Sequence, residues 1–189
     1  MKIIKPLFNL IKPNLAQIAR FNEKGARIGF RYGAQVLDKN GNPTGPMIFK
    51  DNLVPEVARN LILELLVKSA SGYATWYLGL TENDYDPLDA DTMADYPTNA
   101  GENTDYDDST RQAVTFGTVD DGAVDNSGDL NIVDFTSTGA SIRGAFLSSN
   151  ATREGLTGIL MSAVKFGSVQ AIPAGGALRV PISLTITSS

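Results

Sequence analysis

The stretch that decides the fold is residues 51–80, with the sequence DNLVPEVARNLILELLVKSASGYATWYLGL. Apolar residues recur here at three- and four-residue spacing, which predicts an amphipathic helix at about residues 54–70. Asp51 or Asn52 is expected to cap this helix, because a short polar side chain can accept hydrogen bonds from the first-turn N–H groups. Residues 73–80 are aromatic and aliphatic and predict a buried strand. We therefore expect the remaining strands to pack against this helix or beside it.

Short strands separated by turn sequences surround that stretch. Residues 26–37 alternate apolar with polar side chains, and Asn40-Gly41 predicts a hairpin turn into a return strand at residues 46–50. From residue 112 onward, short apolar runs alternate with turns. The last run, residues 177–187, alternates throughout, and Pro181 within it predicts a sheet edge or a bulge, because proline has no N–H to donate.

These patterns predict a mainly β fold: an antiparallel β-sandwich, jelly-roll-like, with one prominent helix. A chain of 189 residues fits one domain. We divide it into an N-terminal arm, residues 1–25, and a single β-sandwich domain, residues 26–189. Pro6 and Pro13 prevent one continuous helix in the arm. The arm is expected either to strap the core of its own domain or to dock on a neighbouring subunit.

The composition excludes several kinds of chemistry. The chain contains no histidine and no cysteine, so Ser-His-Asp and Cys-His catalysis and thiolate or imidazole metal sites are impossible. No dinucleotide-binding or phosphate-binding glycine motif is present, and no apolar run is long enough to span a membrane. We therefore predict that the protein is not an enzyme, with no catalytic, cofactor-binding or metal-binding residues and no cofactor.

The charge is distributed unevenly along the chain. The net charge is −5, yet residues 1–50 carry nine basic side chains against two acidic ones, and residues 82–108 carry ten acidic side chains and no basic one. Such an asymmetry predicts complementary contacts within an oligomer or with a charged partner. The acidic isoelectric point of about 4.7 argues against direct nucleic-acid binding.

Residues 82–108 are too long to be an ordinary structureless loop, so we expect them to be functional or stabilised by a partner. Their alternating aspartates offer oxygen ligands to calcium, but the spacing lacks the glycine and the terminal glutamate of an EF-hand. A solvated loop or a partner-facing surface is the preferred interpretation. The predicted partner-binding residues are Ile3, Ile4, Leu7, Phe8, Leu10, Ile11, Arg20, Asp84, Asp86, Asp89, Asp91, Tyr96 and Tyr106.

An aromatic group at Tyr73, Trp76 and Tyr77 has two interpretations. It is either a platform for carbohydrate rings or part of the core. The apolar neighbours of Trp76 on its strand face, Ala74 and Leu78, favour the core.

Residues 52–187 resemble small structural proteins of tailed-bacteriophage virions in the pattern and order of their pieces. These pieces are NLILELLVKSA, WYLGL with the acidic stretch after it, STRQAVTFG, IRGAFLSSNATREGLTGILMSAVKF and IPAGGALRV. The resemblance implies a capsid decoration (cement) protein with a sandwich or jelly-roll-like core that sits across capsid subunit boundaries.

The resemblance also implies partners and a location. The expected partners are the major capsid protein and further copies of the chain, as a homodimer or homotrimer, with no membrane. The expected location is the capsid exterior of the virion, after assembly in the host cytoplasm. The basic residues 1–50 depart from the family pattern, so a tail- or fibre-associated receptor- or carbohydrate-binding module is the alternative.

Overall fold

The computed structural model describes residues 26–67, 72–128, 131–135 and 138–188, so the predicted arm, residues 1–25, lies outside the described residues. The first elements in chain order are β1 (Ala26–Leu37), β2 (Ile48–Asp51), α1 (Glu56–Val67), β3 (Trp76–Thr81), α2 (Tyr96–Asn99), β4 (Glu102–Asn103) and β5 (Gln112–Val114). They are followed by β6 (Ala123–Asp125), β7 (Asn131–Phe135), β8 (Ala140–Ser148), β9 (Leu160–Ile172), β10 (Gly176–Val180) and β11 (Ile182–Ser188).

The first sheet is built around β1. The predicted hairpin is confirmed, because β2 pairs antiparallel with β1 and Gly41 in the turn has a φ of 78°. On its other edge β1 pairs with β11 and then with β10, in one unbroken register. Beyond them, β7 pairs with β10 and β6 pairs with β11.

The prediction for Pro181 is wrong. β10 and β11 follow each other along β1 and have neighbouring strands on both sides, so they lie inside the sheet. Their register with β1 is continuous and shows no bulge. Pro181 accepts a 2.7 Å hydrogen bond from the N–H of Gly33 in β1. A Cβ at Gly33 would lie 2.5 Å from Cγ of Pro181. The sheet therefore accommodates the proline by placing a glycine directly opposite its ring.

The second sheet is built around β3 and β8. On one edge β3 pairs with β8, which pairs in turn with β9. On the other edge β3 pairs first with β5 and then with β4. Leu53, just after β2, exchanges two backbone hydrogen bonds with Ala163 of β9, at 3.0 and 3.1 Å. This bridge connects the two sheets along one side.

The two sheets pack face to face over a shared core. Alternate residues of each strand point inward, as in β7, where buried and exposed residues alternate along the whole strand. Fully buried members from both sheets include Tyr32, Leu78, Leu80, Phe135, Ile142 and Leu178. The hydroxyl of Tyr32 hydrogen-bonds the hydroxyl of Ser162 across the core, which satisfies two polar groups in an otherwise apolar layer. The predicted mainly β sandwich with one prominent helix is confirmed.

The helix begins at Glu56, but the predicted cap is wrong. The side chain of Asn52 accepts a 2.8 Å hydrogen bond from the N–H of Phe30 in β1 and so supports the sheet. The carbonyl of Pro55 accepts the first helical bond, from the N–H of Arg59 at 3.1 Å. The predicted helix end at residue 70 lies outside the described residues. Within the described part of the chain, no helix is both long and apolar enough to cross a membrane.

Candidate functional site

Residues 85–100 of the acidic segment (residues 82–108) fold as a third layer on the outer face of the second sheet, whereas Tyr106 near its end packs into the core between the sheets. Phe146 of β8 and Leu160 of β9 form the floor, and Met93, Tyr96 and Ala100 of the segment cover it. The rings of Tyr96 and Phe146 meet edge to face, with their centroids 5.4 Å apart. The chain itself therefore supplies the packing that orders this part of the segment.

A glycine in β3 makes room for this layer. A Cβ at Gly79 would lie 2.2 Å from Cζ of Phe146, so only glycine allows the ring to lie flat across the neighbouring strand. Gly79 is the fourth residue of the WYLGL stretch. The same stretch that predicts a buried strand thus also positions the floor under the acidic segment.

A buried ion pair fixes the end of the segment. Arg111 donates to both carboxylate oxygens of Glu102, at 2.7 and 2.6 Å, and the two side chains are 0% and 1% exposed. The same guanidinium donates to the carbonyls of Asn150 and Gly155, at 2.9 and 3.2 Å. One charged pair thus binds β4 to the turn between β8 and β9. Its burial is tolerable because the polar atoms are matched.

Arg153, which lies in the turn between β8 and β9, adds another clamp. Arg153 donates to the carbonyls of Thr104 and Tyr106, at 2.8 and 3.2 Å. Its guanidinium also lies 5.3 Å from the centroid of the Tyr106 ring, within the range of a cation–π contact. The last part of the acidic segment is therefore held through its backbone, independently of its carboxylates.

Three of the predicted partner-binding aspartates lie in surface ion pairs. Lys165 of β9 contacts Asp84 and Asp86, at 2.5 and 3.1 Å. Arg59 of α1 binds both oxygens of Asp89, at 2.5 and 2.9 Å. Hydrogen bonds from Lys165 and Arg59 lower the pKa values of Asp84 and Asp89 respectively. The lowered pKa favours the ionised form of Asp84 and Asp89, and the hydrogen bonds orient these two carboxylates.

The other predicted residues of the segment are buried. Asp91 is 5% exposed and accepts hydrogen bonds from the hydroxyl of Tyr85 at 2.9 Å and the N–H of Leu88 at 2.7 Å. Tyr96 and Tyr106 are 1% and 4% exposed. The structure thus brings Asp84 and Asp86 together at Lys165, pairs Asp89 with Arg59, and buries Asp91 and both tyrosines under the surface. We no longer assign Tyr96 and Tyr106 as partner contacts, because their rings are covered by the chain itself.

The remaining predicted partner residues are Ile3, Ile4, Leu7, Phe8, Leu10, Ile11 and Arg20, and they lie outside the described residues. In the described ranges, no group of three or more acidic side chains is placed to hold a metal ion. The alternating aspartates considered as calcium ligands instead face Lys165, Arg59 and the hydroxyl of Tyr85.

Sequence reasoning missed the cations that organise this layer. No local pattern distinguishes these cations. Arg59 lies on a helix, Lys165 on a strand, and Arg111 and Arg153 lie in or next to polar turns. The only available signal was the excess of acidic residues, which requires cations from elsewhere in the chain. That excess does not show which cations these are.

A second concave surface lies beside α1. It is a groove of about 490 Å³ with one exposed aromatic residue, Tyr73, and with carboxylates and an amide from Glu56, Asn60 and Asp89. The ring of Tyr73 packs against Trp76, with centroids 5.5 Å apart. Trp76 itself is half-buried at the margin of the main core. Tyr73 is thus available to a ligand, whereas Trp76 mainly supports the core.

No protein-family model matches this chain, and no curated protein matches it.

Proposed function

We propose that this protein is a non-enzymatic structural protein of a tailed-phage virion, a capsid decoration (cement) protein. In this role it binds across major capsid protein subunits on the head exterior, as a homodimer or homotrimer, and stabilises the shell. Its contacts are the N-terminal arm, residues 1–25, and the exposed aspartates of the acidic segment.

The observation that supports this role is a rigid acidic surface. The side chains of Asp84, Asp86 and Asp89 are 67%, 82% and 57% exposed, although each lies in an ion pair. The segment beneath them is fixed by the buried Arg111–Glu102 pair. A surface ordered before binding loses less conformational entropy on binding, which favours adhesion to a second surface. Exposed carboxylates in fixed positions also give charge complementarity to a basic partner patch.

The composition supports a role without catalysis. A protein that works by adhesion needs a rigid core and complementary surfaces, and the chain has neither the histidine nor the cysteine of the common nucleophilic mechanisms. Its acidic and basic residues are concentrated in different parts of the sequence, which suits contacts between copies or with a charged shell.

The acidic surface can be tested with heads assembled without this protein. In co-sedimentation, the full chain with Asp86→Asn and Asp89→Asn is expected to bind such heads more weakly than the parent, with a smaller salt dependence. The matched control, Asp51→Asn with Asp125→Asn, removes two exposed carboxylates from the first sheet and should bind like the parent. Equal binding by both variants would remove the acidic surface from the proposal.

The arm can be tested separately. Removal of residues 1–25 is expected to abolish binding to the same heads, whereas the unfolding transition of the remaining chain should persist. A truncated protein that decorates heads normally would show that the arm is not a contact.

A second candidate function is a receptor- or carbohydrate-binding module of a tail or fibre. The groove beside α1 favours it, because an exposed aromatic ring next to carboxylates and an amide suits the apolar face and hydroxyls of a sugar. On a glycan array, Tyr73→Ala should then abolish binding. Phe49→Ala should not, because Phe49 is also exposed but lies on β2 away from this groove. An array without any binding would reject this candidate.

A further inference from the structure

An apolar groove opens at the margin of the sandwich, between the first sheet on one side and β3 and α1 on the other. Its volume is about 230 Å³, and all of its lining residues are apolar or glycine. Six of the lining residues are Phe30, Ile62, Trp76, Phe116, Val124 and Leu184. Val119 at its rim is 70% exposed. An apolar lining offers water no hydrogen-bond partners, so the groove favours an apolar occupant.

We propose that this groove is occupied by residues 3–11 of the same chain. This stretch reads IIKPLFNLI and contains six large apolar side chains within nine residues. The groove has room for about two of these side chains, and seating Leu7 and Phe8 there removes their apolar surface and that of the lining from water. The docking concerns the protein free in solution and does not depend on a virion role.

The place where the described chain begins makes this docking possible. Ala26 pairs with Ser188 at the end of β1, and four residues further along Phe30 pairs with Leu184. Both Phe30 and Leu184 line the groove, so the groove starts about 13 Å from Ala26. The fifteen residue-to-residue steps from Ile11 to Ala26 can span up to about 50 Å. The apolar stretch therefore reaches the groove of its own chain with length to spare.

Charge favours the same path. The turn that contains Asp120 and Asp121 follows Val119 directly, and Gly122 of this turn accepts a 2.8 Å hydrogen bond from the N–H of Ile186, near the end of β11. Acidic side chains thus lie between the entry point of the chain and the groove. The connecting residues 12–25 carry Lys12, Arg20 and Lys24 against one acidic residue, Glu23. A short tether also gives an effective concentration in about the millimolar range, which favours docking in the same chain over docking in a second copy.

Trp76 gives a direct readout, because it lines the groove and is the only tryptophan of the chain. In the full-length protein, Leu7→Ser with Phe8→Ser is expected to shift the tryptophan emission to longer wavelength. Acrylamide quenching should rise to the level of a chain that lacks residues 1–25. The control Asn14→Ser with Gln17→Ser changes the same number of residues without removing apolar surface and should leave both quantities unchanged. Equal spectra for both variants would overturn the proposal.

A cross-link separates docking in the same chain from docking in a second copy. The chain has no cysteine, so Leu7→Cys with Val119→Cys creates the only possible pair. Mild oxidation is expected to give an internal disulfide, seen as a faster-migrating monomer that reverts with reductant. As a control, Leu7→Cys with Val169→Cys should not give this species, because Val169 on β9 is exposed but does not line the groove. Covalent dimers, or no cross-link between positions 7 and 119, would overturn the proposal.

Discussion

The buried pair of Arg111 and Glu102 holds the acidic segment more firmly than any of its surface pairs. Both charges are removed from water, and their oxygens and N–H groups are matched by each other and by backbone groups. Desolvation makes such a pair costly to break, because the remaining partner becomes an uncompensated buried charge. The surface pairs, by contrast, remain hydrated and contribute little.

Arg111→Met is therefore expected to lower the free energy of unfolding by about 3–5 kcal/mol, since Glu102 would stay buried without its partner. Arg31→Met is the matched control, because Arg31 lies 3.9 Å from Asp51 in an exposed pair and should change stability by less than about 1 kcal/mol. Urea unfolding of both variants measures the difference. A loss of similar size in the two variants would contradict the importance assigned to the buried clamp.

The carboxyl group of Asp134 works against folding at neutral pH. Asp134 lies on the outward face of β7, yet partial desolvation, followed by the nearby charges of Asp107 and Asp108, raises the pKa of its carboxyl group in the folded chain. The charged form is therefore less stable in the folded state than in the unfolded state. This cost is fully present above the raised pKa and disappears as the pH falls below the unfolded value of about 3.9.

Asp134→Asn is expected to raise the free energy of unfolding at pH 7, with the gain fading below about pH 4. Asp38→Asn should have the opposite sign at pH 7, because backbone N–H groups of Asn42 and Asn40 lower the pKa of Asp38. The stability from Asp38 is present above the unfolded pKa and is lost as the pH falls through the lowered one. Thermal unfolding across this pH range tests both. A gain from Asp134→Asn that persists unchanged at low pH would show that charge is not its cause.

At the level of elements, the strand WYLGL connects two packing layers. Its inward residues Leu78 and Leu80 lie in the core between the sheets, and Gly79 on its other face lies under Phe146. One six-residue strand, β3, thus sets the spacing of both the sandwich and the acidic layer. A side chain at position 79 would push Phe146 into the residues that cover it.

Gly79→Ala is expected to destabilise the protein by about 1–3 kcal/mol through overpacking. A second change, Phe146→Leu, should recover part of this loss in a double-mutant cycle. Gly29→Ala in β1 is the control, because a Cβ there meets no atom within 4 Å. It should be neutral or slightly stabilising, since glycine is unfavourable inside a strand. Equal losses at the two positions, measured by urea unfolding, would argue against the contact with Phe146.

Local patterns predicted the elements that depend on local chemistry. The β1–β2 hairpin follows from alternation and from Asn40-Gly41, and the helix follows from apolar spacing. The predicted helix cap is wrong because the side chain of Asn52 accepts a hydrogen bond from Phe30, a strand residue 22 positions earlier. Propensity at a helix start cannot anticipate a competing donor from a distant strand.

The acidic layer was unpredictable for the same reason on a larger scale. Its order depends on Phe146, Arg111 and Arg153, which follow the segment in sequence and meet it only through the pairing of β3 with β8. Composition marked the segment as unusual but could not distinguish an ordered layer from a solvated loop. The sheet position of Pro181 was predicted wrongly for the same reason, because the space for its ring depends on Gly33 in another strand.

As a whole, the molecule is a β-sandwich for which we propose two adhesive surfaces. One is the rigid acidic layer, whose aspartates are fixed but exposed. The other is the apolar N-terminal stretch, which the free protein is proposed to store in its own groove. In the proposed role, both surfaces would contact other molecules of a larger assembly and stabilise it.

Imaging of phage particles assembled with and without this protein tests that role most directly. We expect extra density on the outside of the head, at boundaries between major capsid protein subunits, and heads that rupture more easily when the protein is missing. Density confined to the tail or its fibres, or heads that are identical in appearance and stability without the protein, would contradict it.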